Sequence, residues 1–215
     1  LIEQRYYLSN YVMASASRDP NFPPPIFGTW NTTDNPGWMG DYHLNYNYQA
    51  PFYGLYSSNH IAQAEPYDAP ILDFRPRGQW YARNVLDCRG VYFPVGIGPK
   101  GLETTLNAPT NGYARPEHVQ KGGLFYHQRS NAAYCLVNVA MRWYSTYDLD
   151  YARKLYPLVR DVADFWEDYL KFEPFDGAQG KDGRYVIYKD SVHERSGNGN
   201  DFNSIVSLGL VRCTI

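Results

Sequence analysis

Ala133, Leu136, Val137, Ala140, Met141 and Tyr144 recur at i, i+3, i+4, i+7, i+8 and i+11, one unbroken apolar face that predicts a helix over residues 130–146. A second stripe, Leu158, Val159, Val162, Phe165, Trp166, Tyr169 and Leu170, lies opposite Arg160, Asp161, Asp164, Glu167, Asp168 and Lys171, and Pro157 suits the first turn of that helix. Together they read as a helical hairpin. Tyr7 with Tyr11 and Leu8 with Val12 predict an earlier helix over residues 2–16, stopped by Pro20 and the Pro23-Pro24-Pro25 run. Further helices are expected within residues 52–64 and 78–87, a Gly/Pro cluster over 90–101, a turn over 176–183, a short strand over 184–188, and a last apolar segment over 205–211. Residues 27–40 and 190–203 read as polar loops, the first displaying large rings.

No βαβ alternation and no short repeat interrupts this pattern, so the expected class is an all-α array of helical hairpins with long loops, a single domain over 1–215. Neither end carries a cap or terminator, which reads as a piece of a longer domain.

Composition narrows the function. Charged residues are 20% of the chain and the net charge is −2, with no basic stripe to neutralise a phosphate backbone, which argues against a nucleic-acid partner. The apolar runs fall short of the roughly 20 residues that span a bilayer, so no membrane partner is expected either. Aromatic residues reach 17%, Tyr above all, a bias that suits half-wet sugar platforms and also fills cores. Cys88, Cys135 and Cys213 lie far apart without a C-x-x-C pair and read as buried thiols, one disulfide remaining open.

Familiar nucleotide and metal signatures fail. Gly96-Ile97-Gly98-Pro99-Lys100-Gly101 spells G-x-G-x-x-G, but Pro99 interrupts the turn outside any βαβ context, and no two His share a metal-ligand spacing, so no cofactor or metal is expected. Two other stretches carry chemistry. In Trp38-Met39-Gly40-Asp41-Tyr42-His43-Leu44-Asn45-Tyr46-Asn47-Tyr48-Gln49, Asn45 and Asn47 stand two apart, about 200° around a helix but on one face of an extended segment. Paired amides can hold a water or sugar hydroxyls beside the rings of Trp38 and Tyr42; the same string also reads as a capped helix start. In Asp190-Ser191-Val192-His193-Glu194-Arg195, a carboxylic acid on a loop can donate a proton to a leaving group, with Glu194 and Asp190 as candidates. Arg195 beside Glu194 equally reads as a surface ion pair.

At these residues the chain resembles the six-hairpin catalytic domain of family-95 glycoside hydrolases, the exo-acting α-L-fucosidases and α-L-galactosidases. Residues 5–31, through Gly28-Thr29-Trp30-Asn31, resemble the first barrel helix and its loop, and Tyr42 to Gln49 matches the family's most specific stretch. The resemblance implies an (α/α)6 toroid of which about the first half is present, and an inverting, cofactor-free hydrolase acting on oligosaccharide or polysaccharide, secreted or periplasmic. It implies that Asn45 and Asn47 hold the attacking water, that Glu194 is the general acid, and that Trp30, Trp38, Tyr42, His43, Asp190 and His193 bind substrate. An inverting site needs a second carboxylate about 6.5 to 9.5 Å from the acid; the resemblance puts that base beyond residue 215. Two departures, Tyr188-Lys189-Asp190-Ser191-Val192-His193-Glu194 and Gln49-Ala50-Pro51-Phe52-Tyr53, keep Asp190 as a rival acid and leave the sugar open. A phosphorylase on the same barrel and a non-catalytic glycan-binding module are the alternatives.

Overall fold

The computed structural model describes residues 1–104, 127–175, 182–192, 194 and 199–214. The architecture is mainly helical: α1 (Ile2–Ala16), α2 (Ala50–Ser57), α3 (Ile61–Ala64), α4 (Asp68–Leu86), α5 (Asn131–Thr146), α6 (Leu149–Tyr169) and α7 (Ile205–Thr214). Two antiparallel ribbons accompany them, β1 (Tyr42–His43) on β2 (Gly96–Ile97), and β3 (Lys171–Pro174) on β4 (Gly183–Val186).

α5 and α6 form the predicted hairpin, turned by Tyr147 in the left-handed region (φ 49°) and by Asp148, whose carboxylate accepts from the Asp150 and Tyr151 amides as an N-cap. That cap starts α6 earlier than expected, so Pro157 lies inside the helix rather than in its first turn. Asp161 also departs from expectation. The sequence pattern puts it on the wet face, yet it is buried, with Arg75 Nε at 2.6 Å and Gln79 Nε2 at 2.9 Å from Oδ2. Those partners come from α4, which runs well upstream of the expected residues 78–87 and contains Pro76. The helix expected within 52–64 is two, α2 and α3, broken at Ser58 to His60. β4 spans Gly183–Val186, shifted from the expected 184–188, and the turn expected over 176–183 falls mostly outside the described residues.

One core joins these elements, and much of the aromatic excess belongs to it. Tyr42, Tyr48, Phe52, Tyr67, Phe74, Tyr81, Tyr92, Phe93, Phe165 and Trp166 are all buried in it. Tyr48 stacks on Tyr67 at 4.8 Å; Tyr48 donates to the Tyr67 carbonyl and Tyr67 to the Cys135 carbonyl, so both of these buried hydroxyls are satisfied. The rings therefore bear on packing before they bear on sugar. Gly90 shows how closely the layers approach: at φ +69° it lies so near α6 that a Cβ there would stand 1.9 Å from the Asp161 carbonyl oxygen. Cys88 and Cys135 are buried free thiols, whereas Cys213 is free and exposed.

Candidate active site

Three separate segments converge. The first is β1 with its flanks, where Leu44 N donates to the Val95 carbonyl at 2.6 Å and the His43–Gly96 pairing sets the register. Alternation along this short strand sends Tyr42 one way and Asp41 and His43 the other. Tyr42, expected in the pocket wall, instead packs at 5.0 Å on Tyr48 in the core, only 4% exposed. Residues 44–49 are turns, neither helix nor strand. Asn45 is half-buried there and Asn47 is exposed.

The second segment leads into α5. Gln128 is buried and its Oε1 accepts from Asn45 Nδ2 at 3.0 Å, while the neighbouring Arg129 amide donates to Asp190 Oδ1 at 3.0 Å. The Arg129 guanidinium lies over the rings of Tyr92 and Tyr169, and its Nε donates to the Tyr169 hydroxyl at 3.0 Å.

The third segment is the loop after β4. Asp190 and Asp201 exchange backbone hydrogen bonds at its base, and Val192 N donates to Asp201 Oδ2 at 2.8 Å. Asp190, expected to bind substrate or to rival Glu194, is fully buried: its carboxylate accepts from the Arg129 and Ser191 amides and from the Ser207 hydroxyl. It anchors the loop on the segment that enters α5 and on α7. His193 lies outside the described residues.

Glu194 is where the segments meet. Its Oε1 accepts from Asn45 Nδ2 at 2.8 Å and lies 3.1 Å from His43 Nε2. On its other side His43 Nδ1 lies 3.1 and 3.2 Å from Asp41 Oδ1 and Oδ2. Burial works against a charged His43, but the hydrogen bonds and charges of Asp41, then of Glu194, outweigh it and hold the imidazole pKa above its ordinary value. Burial likewise pushes the Asp41 carboxyl up, against the opposing pull of His43 and Thr104. With both Nδ2 hydrogens of Asn45 given to Gln128 and Glu194, the amide meets a ligand through Oδ1, an acceptor.

Exposed aromatic rings stand nearby. Trp38 is 57% exposed, its ring 6.4 Å edge-on from His43 and 6.2 Å from Phe27. Trp38 and Met39 both adopt left-handed backbone, φ 51° and 57°, a strained arrangement of the kind found where a loop presents a side chain. Trp30 is 55% exposed over Gly28. Asp41 and Gln128, both part of this cluster, carried no signal in the sequence, because each acts through a partner set by the fold. No group of His, Cys, Asp and Glu suited to a metal ion occurs among the described residues.

The profile of the glycosyl hydrolase family 95 catalytic domain matches residues 1–196, a span that holds Asp41, His43, Asn45, Gln128 and Glu194 and ends just past Glu194. The chain belongs to that family. Over short stretches it is similar to the probable alpha-fucosidase A of Aspergillus oryzae, 41% identical over 44 residues, 20% of this chain and 6% of that protein. It is similar also to the probable alpha-fucosidase A of Aspergillus niger, 44% identical over 39 residues, 18% of this chain and 5% of that protein. The matches therefore span only a small part of the curated relatives' length.

Proposed function

We propose that this family-95 domain hydrolyses terminal α-L-fucosides or α-L-galactosides of glycans, exo-acting and with inversion, with Glu194 as general acid. The observation that carries the reading is the approach of Asn45 Nδ2 to Glu194 Oε1, which brings an amide and a carboxyl from remote parts of the chain to one point beside an exposed tryptophan. Oε1 is already met by Asn45 and by His43, so the transferable proton rides on Oε2 and goes from there to the glycosidic oxygen. Asn45 Oδ1, the acceptor left to that amide, takes a hydrogen of the attacking water, with Asn47 as its companion. Trp38, Trp30 and His193 are proposed to contact the sugar, whereas His43, only 1% exposed, stands behind Glu194; the inverting mechanism also needs a general base, which we assign to no residue of this chain.

In this reading the helices are part of an (α/α)6 six-hairpin toroid and the chain is one domain. The protein works in a secreted or periplasmic setting, without cofactor; no helix among the described residues is long and apolar enough to cross a membrane. Water is favoured over phosphate as the nucleophile because Asn45 has both its hydrogens committed and none for an anion. Proton NMR of the first-formed sugar during cleavage of methyl α-L-fucoside and methyl α-L-galactoside by the full-length protein tests this. The β anomer appearing first from one of them is expected. The α anomer first, or a sugar phosphate formed only with added phosphate, overturns it.

A further inference from the structure

Asp41 and His43 are enclosed more completely than sugar binding requires. They are only 5% and 1% exposed, so His43 presents almost none of its ring to a ligand. Burying a carboxylate and an imidazole is costly unless each is paired, and here each is. Asp41 receives His43 Nδ1 on both oxygens and the Thr104 hydroxyl on Oδ2 at 3.3 Å; the far nitrogen of His43 faces Glu194 Oε1 at 3.1 Å. A carboxylate, an imidazole and a second carboxyl thus stand in line, the last being the proposed acid.

We propose that Asp41 and His43 are positioning residues for Glu194: the imidazole held by Asp41 keeps a hydrogen on Nε2 and directs it at Glu194 Oε1, where negative charge appears as the acid gives up its proton. The inference rests on Glu194 being the acid. As the glycosidic bond breaks, its electron pair stays on the departing oxygen, which receives the Oε2 proton, and the Nε2 hydrogen remains on His43. The donor is in place before the charge develops, so it binds the transition state more strongly than the ground state. When the pair holds its extra proton, Nε2 keeps its hydrogen whether Asp41 or His43 owns the proton between them. When that proton is lost, Nδ1–H stays on Asp41 and Nε2 turns a lone pair toward Oε1, which opposes the negative charge developing there and so hinders the proton on Oε2 from leaving. The upward displacement of both groups keeps the donor form to higher pH.

The test compares two leaving groups in the full-length protein: methyl α-L-fucoside, whose methoxide needs protonation, and 2-chloro-4-nitrophenyl α-L-fucoside, whose phenolate departs without it. His43→Phe and Asp41→Asn are each expected to lose about tenfold or more in kcat on the methyl glycoside but less than about threefold on the aryl one, with KM little changed. Equal losses on both substrates, or none on either, overturn the dyad. Thermal unfolding of both variants shows that they fold, and the pair of substitutions guards against one of them collapsing the site. Glu194→Gln separates the two claims. A leaving-group split in this variant without one in the other two sinks the dyad alone; no split in Glu194→Gln removes the acid assignment itself.

Discussion

Asn45 Nδ2 and Glu194 Oε1 stand 2.8 Å apart across 149 positions of sequence. The same Nδ2 is held from its other side by Gln128, so the orientation of the amide depends on that glutamine as well as on Glu194. Replacing Gln128 with Leu removes that restraint while filling its volume. The expected result is a loss of about ten- to a hundredfold in kcat, with unfolding nearly unchanged, read by steady-state kinetics beside thermal melts. Full activity in Gln128→Leu would show that Asn45 needs no such hold.

Asp190 is the anchor of the loop that carries Glu194. Its carboxylate accepts two amides and the Ser207 hydroxyl in a fully buried setting. Asp190→Asn swaps one acceptor for a donor facing other donors, which costs about 2 kcal/mol or more. Lower denaturation midpoints are expected, with activity falling equally on methyl and aryl glycosides. A loss confined to the methyl glycoside would instead make Asp190 the acid.

A third prediction concerns pH and stability. Burial pushes the Asp68 carboxyl up to about 6, against the lowering pull of Arg142, Lys154 and Tyr151. The folded chain thus holds this proton more tightly than the unfolded one, whose carboxyl titrates near 3.8. The stabilisation from protonation is full below about pH 4 and is lost as pH rises through 6. Urea unfolding of the wild type and Asp68→Asn at pH 4 and pH 7 measures it. The wild type should fall relative to the variant by about 2 kcal/mol between these pH values; an unchanged gap would contradict the displacement.

Gly90 supplies the fourth. Its left-handed backbone and its contact with α6 leave no space for a methyl group, so Gly90→Ala should cost more than about 2 kcal/mol, read as a lowered urea midpoint. A change within about 0.5 kcal/mol would mean that the loop moves away freely.

The helices were legible where packing is local and periodic. Ala133 to Tyr144 and Leu158 to Leu170 each lay one stripe on one face, and the hairpin they form is visible in the spacing alone. α4 was legible only at its end, because Pro76 reads as a breaker and tertiary packing overrides it. Asp161 looked solvent-facing since nothing nearby in sequence announces Arg75 and Gln79. In the site, the amide-bearing turn and Glu194 were readable as chemistry. Asp41 and Gln128 were not, because their significance lies in contacts with His43 and Asn45 that only the fold creates. Tyr42 and His43 are neighbours in sequence that both suit a pocket lining, and the pleat of β1 separates them.

The most direct measurement is the rate at which the full-length protein and its Glu194→Gln variant release fucose from methyl α-L-fucoside under identical conditions. Loss of the proton donor with little change in shape predicts a fall of at least about a hundredfold in kcat, with a folded variant. Equal rates from the two proteins would contradict the assignment of Glu194 as the acid, and with it the central claim.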